Sequence, residues 1–277
     1  TLSRRQVREL LDELGLAPSR ALGQNFVADP NTVRRIARLA GVGPGDRVVE
    51  IGPGLGSLTL ALVETGAEVT AVELDRHLLP ALRRVVDPHG VRIVHGDALA
   101  LDWDELLGDG DADRPWVLVA NLPYNVATPL VLQLLERVPA ITTMLVMVQR
   151  EVAERLAARP GDPAYGIPSV KVAYRADAEV VGRVPPTVFV PQPRVESALV
   201  RLRRLPAPRV GADPHRLFRL VEAAFAQRRK MLRRSLAGLV DAAAFARAGV
   251  PPEARPEQLD LTDWDRLVRA VWQGGGP

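Results

Sequence analysis

The sequence predicts an α/β protein: a largely parallel sheet covered by helices on both faces, followed by a small all-helical domain. Three observations carry this. Short apolar runs alternate with segments of helical spacing between residues 47 and 149, the pattern of repeated strand–helix–strand units. The first run leads into a glycine-rich turn, Gly52-Pro53-Gly54-Leu55-Gly56. Beyond Leu205-Pro206-Ala207-Pro208, which reads as a linker, only helical spacing remains. The expected division is therefore residues 1–204 for the sheet domain with its N-terminal helices and 205–277 for the helical one.

The elements follow in order. Val7, Leu10, Leu11 and Leu14 share one face of a helix over residues 3–15. Gly23-Gln24-Asn25-Phe26-Val27 breaks that pattern, and Asp29-Pro30 starts a second helix that ends at Gly41. Strands are expected at 47–51, 69–73, 91–95 and 116–121, with helices at 57–65 and 78–86 between them. A helix at 129–137 precedes a strand at 144–149. Segments 178–184 and 197–203 form an antiparallel edge. In the last third, the apolar spacing predicts one long helix over 214–240 and short helices at 241–248 and 262–272. Gln273-Gly274-Gly275-Gly276-Pro277 is expected to be a frayed tail.

Composition narrows the function. The chain has 277 residues and 47% hydrophobic content, enough for a sizeable core. With no cysteine, disulfides, thiolate metal sites and cysteine nucleophiles are excluded, and four scattered histidines make no metal site. No uncharged run approaches the ~20 residues of a membrane span, and charges at Arg4, Arg5, Arg8, Glu9, Asp12 and Glu13 leave no signal-peptide core. A cytoplasmic protein with no membrane partner, working as a monomer, is the expectation. Net charge is only +3, but residues 201–277 hold 15 Lys or Arg against 8 Asp or Glu. That local excess favours a polyanionic partner. Its densest part is Arg228, Arg229, Lys230, Arg233 and Arg234.

The glycine turn is preceded by an acidic residue, Glu50-Ile51-Gly52-Pro53-Gly54-Leu55-Gly56. Glycines allow a sharp turn and close approach of a ligand to the backbone. Pro53 removes one amide that a pyrophosphate would use. Acidic residues recur at the next two strand ends: Glu73, 21 positions after Gly52 and placed for ribose hydroxyls, and Asp97, placed for an adenine amine. Carboxylates at this edge suit a cationic sulfonium ligand, S-adenosylmethionine, better than a dinucleotide. Asn25 and the backbone of Val27 are candidates to close over its methionine end. The fourth strand runs into Asn121-Leu122-Pro123-Tyr124. An exocyclic base amine is a poor nucleophile because its lone pair is delocalised into the ring. An Asn carbonyl and a backbone carbonyl can accept its two N–H groups, and a Tyr face can hold the flat base. The segment holds no His or Cys, which fits a transfer whose proton leaves afterwards.

Taken together, Leu22-Gly23-Gln24-Asn25-Phe26, the Glu50–Gly56 turn, Val72-Glu73-Leu74-Asp75, Gly96-Asp97-Ala98, Asn121-Leu122-Pro123-Tyr124-Asn125, Gln149-Arg150-Glu151-Val152-Ala153 and the Pro185–Ser197 segment resemble the ribosomal RNA adenine dimethyltransferase family, in its bacterial small-subunit branch. The resemblance runs from about residue 6 to about residue 271. It implies a Rossmann-like, class I S-adenosylmethionine-dependent methyltransferase sheet with a small helical domain. It also implies dimethylation of two adjacent adenines in the 3′-terminal hairpin loop of small-subunit rRNA, during assembly of the subunit. By position, it implies that Asn25, Val27, Gly52, Gly54, Glu73, Asp97 and Asn121 hold the cofactor. Asn121 and Tyr124 hold the target base, with Phe189 on the base's other face, and the Arg228–Arg234 cluster meets RNA. Val27 replaces a common Leu, and Ala21 stands where an aromatic or basic residue is usual.

Three other readings compete. A large-subunit rRNA adenine methyltransferase conferring antibiotic resistance would share the glycine turn and a similar tetrapeptide; Leu122, Asn125 and Thr128-Pro129 speak for the small-subunit branch. DNA adenine methyltransferases often have a second proline where Leu122 stands. A noncatalytic RNA-binding factor on the same fold could lose the amide or a carboxylate, and both are present here.

Overall fold

The computed structural model describes residues 1–19, 22–108 and 114–272. They form two compact units, one of residues 1–153 with 179–204, the other of 154–178 with 205–272. The expected single boundary after residue 204 therefore needs correcting: residues 154–178 pack with the C-terminal helices. The spacing predicts no element within 154–177 and so does not assign this segment to a core.

In the first unit, α1 (Arg4–Glu13) opens with a capping box in which Ser3 and Gln6 satisfy each other's backbone amides. It buries Val7, Leu10 and Leu11. After the two-residue β1 (Phe26–Val27), α2 (Pro30–Ala40) starts where Asp29 accepts the Thr32 N–H at 2.9 Å and Pro30 supplies a preset φ. Then come β2 (Arg47–Ile51), α3 (Ser57–Val63), β3 (Glu68–Glu73), α4 (Leu79–Val86), β4 (Arg92–His95), α5 (Trp103–Leu107), β5 (Trp116–Asn121), α6 (Ala127–Arg137) and β6 (Ile141–Gln149). Helix α7 (Arg150–Ala157) leads into the 154–178 segment of the second unit, which holds α8 (Ile167–Arg175); the chain returns to the first unit within β7 (Ala176–Val184), followed by β8 (Phe189–Val190) and β9 (Ser197–Arg204). The sheet order is β4-β3-β2-β5-β6-β9-β7, parallel from β4 to β6, with β9 antiparallel to β6. Val48, Leu118 and Leu145 on the central strands are fully buried, each worth about 1.5–3 kcal/mol relative to exposure. That double-sided burial is why these strands read as continuous apolar runs.

Order reverses between β2 and β5, because β3 and β4 lie on one side and β6 on the other. This switch point opens a crevice at the carboxyl ends of the strands. A separate ladder pairs Phe26 with Val190 and Val27 with Phe189, antiparallel. Helices α5, α7 and α8 and this small ladder were not foreseen from the sequence.

In the second unit, α9 (Pro214–Ala226) begins where Asp213 accepts the Arg216 N–H at 3.0 Å. It is followed by α10 (Leu232–Ser235), α11 (Ala242–Ala248) and α12 (Leu261–Trp272). Leu217, Leu220, Val221, Leu232, Leu236 and Trp264 form the centre of its core. The single helix expected over 214–240 is broken. Leu232 N–H donates to Ala254 O at 2.8 Å and Arg233 N–H to Pro252 O at 3.0 Å. These donors leave the helical ladder for a neighbouring loop, so the chain turns at 227–231 although the apolar spacing continues. Residues 273–277, expected to fray, and Ala21 lie outside the described residues. No helix among the described residues is long and apolar enough to cross a membrane.

Candidate active site

The carboxyl ends of β2, β3, β4 and β5 surround one cavity. Asn25, Val27, Gly52, Gly54, Glu73, Asp97, Asn121 and Tyr124, eight of the residues singled out from the sequence, all line it. The turn after β2 needs its glycines. Gly52 and Gly54 have φ of +70° and +58°, and a Cβ on Gly54 would stand 2.9 Å from the Phe26 ring. Gly54 N–H donates to Glu73 Oε2 at 3.0 Å, and Asp75 N–H to Glu73 Oε1 at 2.8 Å. The Glu73 carboxylate is thereby aimed by two amides and keeps lone pairs for a diol. Burial raises its pKa, the Asp75 and Gly54 amides oppose the shift, and the Asp75 charge adds to it.

Glu50, quoted in the glycine motif but given no role from sequence, is the unusual group here. It is 1% exposed, and its Oε2 has no hydrogen-bond partner among the described residues. Burial pushes its pKa up to about 8, with Thr59 opposing and the Glu73 charge adding. A buried carboxyl with one oxygen unpartnered, lining a cavity, is a place for a cation. Together with Glu73 and the exposed Asp97, it makes the donor set fit a positively charged ligand with a ribose and an adenine.

On the other side, Asn121 ends β5 beside Met147 of β6. Its Nδ2 donates to Asn25 O at 3.1 Å. That bond fixes the amide so that Oδ1 remains as an acceptor. Tyr124, half-buried, has its hydroxyl 3.4 Å from Ser197 Oγ. The loop over this edge is held by Gln24, which accepts from Ser19 N–H at 2.8 Å and donates to Asp75 Oδ2 at 2.8 Å. Neither Gln24 nor Ser197 could be assigned a role from sequence, since each acts through a partner far along the chain.

Phe189 requires a correction. It is 1% exposed, lies outside the cavity lining and packs in the core with Val27, Val33 and Leu199. The cause is strand alternation: in the small ladder Val27 and Phe189 face one cluster, while Phe26 and Val190 face another. Of the two aromatic residues singled out for the base, Tyr124 lines the cavity and Phe189 does not.

In the second unit, Arg229, Lys230, Arg233 and Arg234 are exposed, and Arg228 Nη2 donates to Pro163 O at 2.9 Å. The bonds from residues 232–233 to 252–254 bring exposed Arg255 into the same cluster, a member that sequence spacing could not supply.

Sheet order, antiparallel β9 and a cavity at the switch point define a Rossmann-like, class I methyltransferase fold. Two solved structures share it. The 23S rRNA methyltransferase ErmE has a TM-score of 0.67 at 29% identity, over 89% of this chain and 99% of that one. A dimethyladenosine transferase from Plasmodium falciparum has a TM-score of 0.69 at 24% identity, over 86% and 94%. The family described as ribosomal RNA adenine dimethylase matches residues 18–271, and the chain belongs to it. Proteins named ribosomal RNA small subunit methyltransferase A from Thermobifida fusca and Cutibacterium acnes are 52% and 50% identical to it. They match over 95% and 97% of this chain and 93% and 94% of their own length.

Proposed function

We propose that the protein dimethylates the exocyclic N6 amine of two adjacent adenines in the 3′-terminal hairpin loop of small-subunit rRNA, during ribosome biogenesis in the cytoplasm. Its substrate is the assembling small subunit, and S-adenosylmethionine is the methyl donor. The observation that carries the reading is the Asn121 amide, locked by Asn25 O with its oxygen left as acceptor, in the same cavity as the glycine turn and Glu73.

Glu73 would take the cofactor's ribose, Asp97 its adenine, and Asn25, Val27 and Glu50 its methionine end, with Gly52 and Gly54 giving it room. When bound, the cofactor supplies a methyl carbon made electrophilic by the sulfonium. Asn121 Oδ1 accepts one N–H of the adenine amine, and a backbone carbonyl of the same segment accepts the other. Both acceptors draw the hydrogens into a plane that turns the lone pair toward the methyl. Tyr124 holds the base by stacking, worth about 1–3 kcal/mol. The chain's contribution is position and fixed charge; no side chain needs to remove a proton before transfer. An adenine in a loop is less costly to extrude than one in a duplex. Arg228, Arg229, Lys230, Arg233 and Arg234 would engage phosphates, and the protein would act as a monomer.

The test is to incubate the protein with unmodified small subunits and isotope-labelled S-adenosylmethionine, then map the label by mass spectrometry. Dimethyladenosine at two neighbouring positions in the 3′ hairpin is the expected result. Label in large-subunit rRNA alone, or none, would overturn the reading.

A further inference from the structure

The six residues between β8 and β9, Pro191-Gln192-Pro193-Arg194-Val195-Glu196, have no part in the site described above. Both ends of this loop are nevertheless tied to cavity-lining residues. Val190 pairs with Phe26 at one end. At the other, Ser197, 1% exposed, lies 3.4 Å from the Tyr124 hydroxyl. The loop is also stapled to the start of α7: Arg150 N–H donates to Glu196 O at 3.0 Å, and Arg150 Nη1 pairs with Glu196 Oε2 at 2.8 Å. Two prolines restrict its backbone further. It is a fixed lip anchored beside the cavity at its two ends, next to Phe26 and next to Tyr124, with none of its six residues in the cavity lining.

This lip presents an unexpected pair to solvent. Val195 is 44% exposed, one of five exposed large hydrophobic residues among those described. Arg194 is exposed and has no ion pair or hydrogen bond among the described residues. Val195 lies two residues, at most about 7 Å of chain, from the serine that touches Tyr124. A core role is excluded by exposure, and Glu196 is already neutralised by Arg150. An apolar side chain beside an unpaired cation, at the rim of a pocket for a flat base, has the chemistry of a contact to a nucleic-acid strand. Apolar wedges fill gaps in base stacks, and guanidinium groups hold phosphates.

We propose that this lip grips the RNA strand next to the extruded adenine, Val195 filling the place the base leaves in the stack and Arg194 holding a flanking phosphate. The inference rests on the RNA-methylating reading above and adds two substrate-contact residues to it. Neither touches the cofactor.

The test uses the full-length protein, unmodified small subunits and a series of salt concentrations. Val195→Ser should lower kcat/KM about tenfold, whereas Val195→Leu should stay within about twofold of wild type, since an apolar wedge is kept. Arg194→Gln should reduce the log–log salt slope of kcat/KM by about 0.7–0.9, the loss of one phosphate contact. Calorimetric affinity for S-adenosylmethionine should be unchanged in all three. Wild-type behaviour of Val195→Ser, or an unchanged slope for Arg194→Gln, would overturn the lip's role while leaving the methyltransferase reading intact. A wild-type protein that methylates no adenine of the small subunit would overturn that reading, and the lip's role with it.

Discussion

Asn121 and Glu50 show how single side chains set the chemistry. The Asn121 amide is useful only in one orientation, and the bond from Nδ2 to Asn25 O selects it. Asn121→Ala should retain the fold, because the residue sits half-buried at a strand end. Its single-turnover methylation rate should drop by about 10²-fold or more, the usual loss when a positioned hydrogen-bonding group is removed. A rate within a few-fold of wild type would take Asn121 out of the mechanism. Glu50 makes a pH prediction. Its pKa, raised by burial to about 8, means the folded protein without ligand keeps a proton there at neutral pH. The stabilisation from that proton is full below the ordinary carboxyl pKa of about 4.3 and is lost as pH rises through about 8. A cationic ligand reverses the preference by favouring the ionised carboxylate, even with Glu73 and Asp75 nearby. Affinity for S-adenosylmethionine should therefore rise between pH 6 and 8, with proton release on binding, and level off above. Titration calorimetry in buffers of different ionisation enthalpy measures this directly, and Glu50→Gln should abolish the proton release.

Among the elements, the glycine turn and the end of α6 carry separable demands. Gly54→Ala would force a side chain into positive φ and against the Phe26 ring at 2.9 Å. Displacing Phe26 also disturbs its ladder with Val190. Cofactor affinity should fall by about tenfold or more, read by calorimetry. Arg204, on β9, donates to Leu134 O, Leu135 O and Val138 O at the C-terminal end of α6 and to Ile141 O at the start of β6, at 2.7–3.0 Å. Arg204→Met keeps the stem but removes these four hydrogen bonds, with Leu134 O and Val138 O retaining backbone donors, so chemical denaturation should show a loss of about 2 kcal/mol. Methylation at low temperature should be preserved, since no cavity-lining residue is touched. Sequence made the sheet legible because its strands are buried on both faces and its helices carry one apolar stripe. It could not show the Arg204 cap, the β1–β8 ladder or the inward turn of Phe189. These depend on which distant segments meet, and local spacing is silent on that. The cavity was more legible than the lip or the Gln24 tie. Its residues sit at strand ends, where topology alone gathers them, whereas Ser197 and Gln24 act through partners tens of residues away.

At the scale of the whole molecule, charge is the property that divides the chain. The excess of basic over acidic residues lies in 201–277, and the second unit concentrates it around one turn. The break in the expected long helix has a consequence here. By pulling residues 232–233 onto 252–254, it gathers Arg229, Lys230, Arg233, Arg234 and Arg255 on a tight turn instead of spreading them along a rod. Such clustering suits closely spaced phosphates, and little of it is spent within the protein: Arg233 makes a 3.9 Å pair with Glu253 and a 3.8 Å contact to Met231 Sδ, worth little at an exposed site. The cavity-lining residues all belong to the first unit. RNA affinity and cofactor affinity should therefore be separable by mutation. The combined Arg228→Glu, Arg229→Glu and Arg233→Glu variant should bind small-subunit RNA at least about tenfold more weakly at 0.15 M salt. Its log–log salt dependence should be shallower by about 0.7–0.9 for each phosphate contact removed. Its calorimetric affinity for S-adenosylmethionine should match wild type. Equal loss of both affinities in a variant whose circular dichroism and melting match wild type would remove the cluster from RNA recognition.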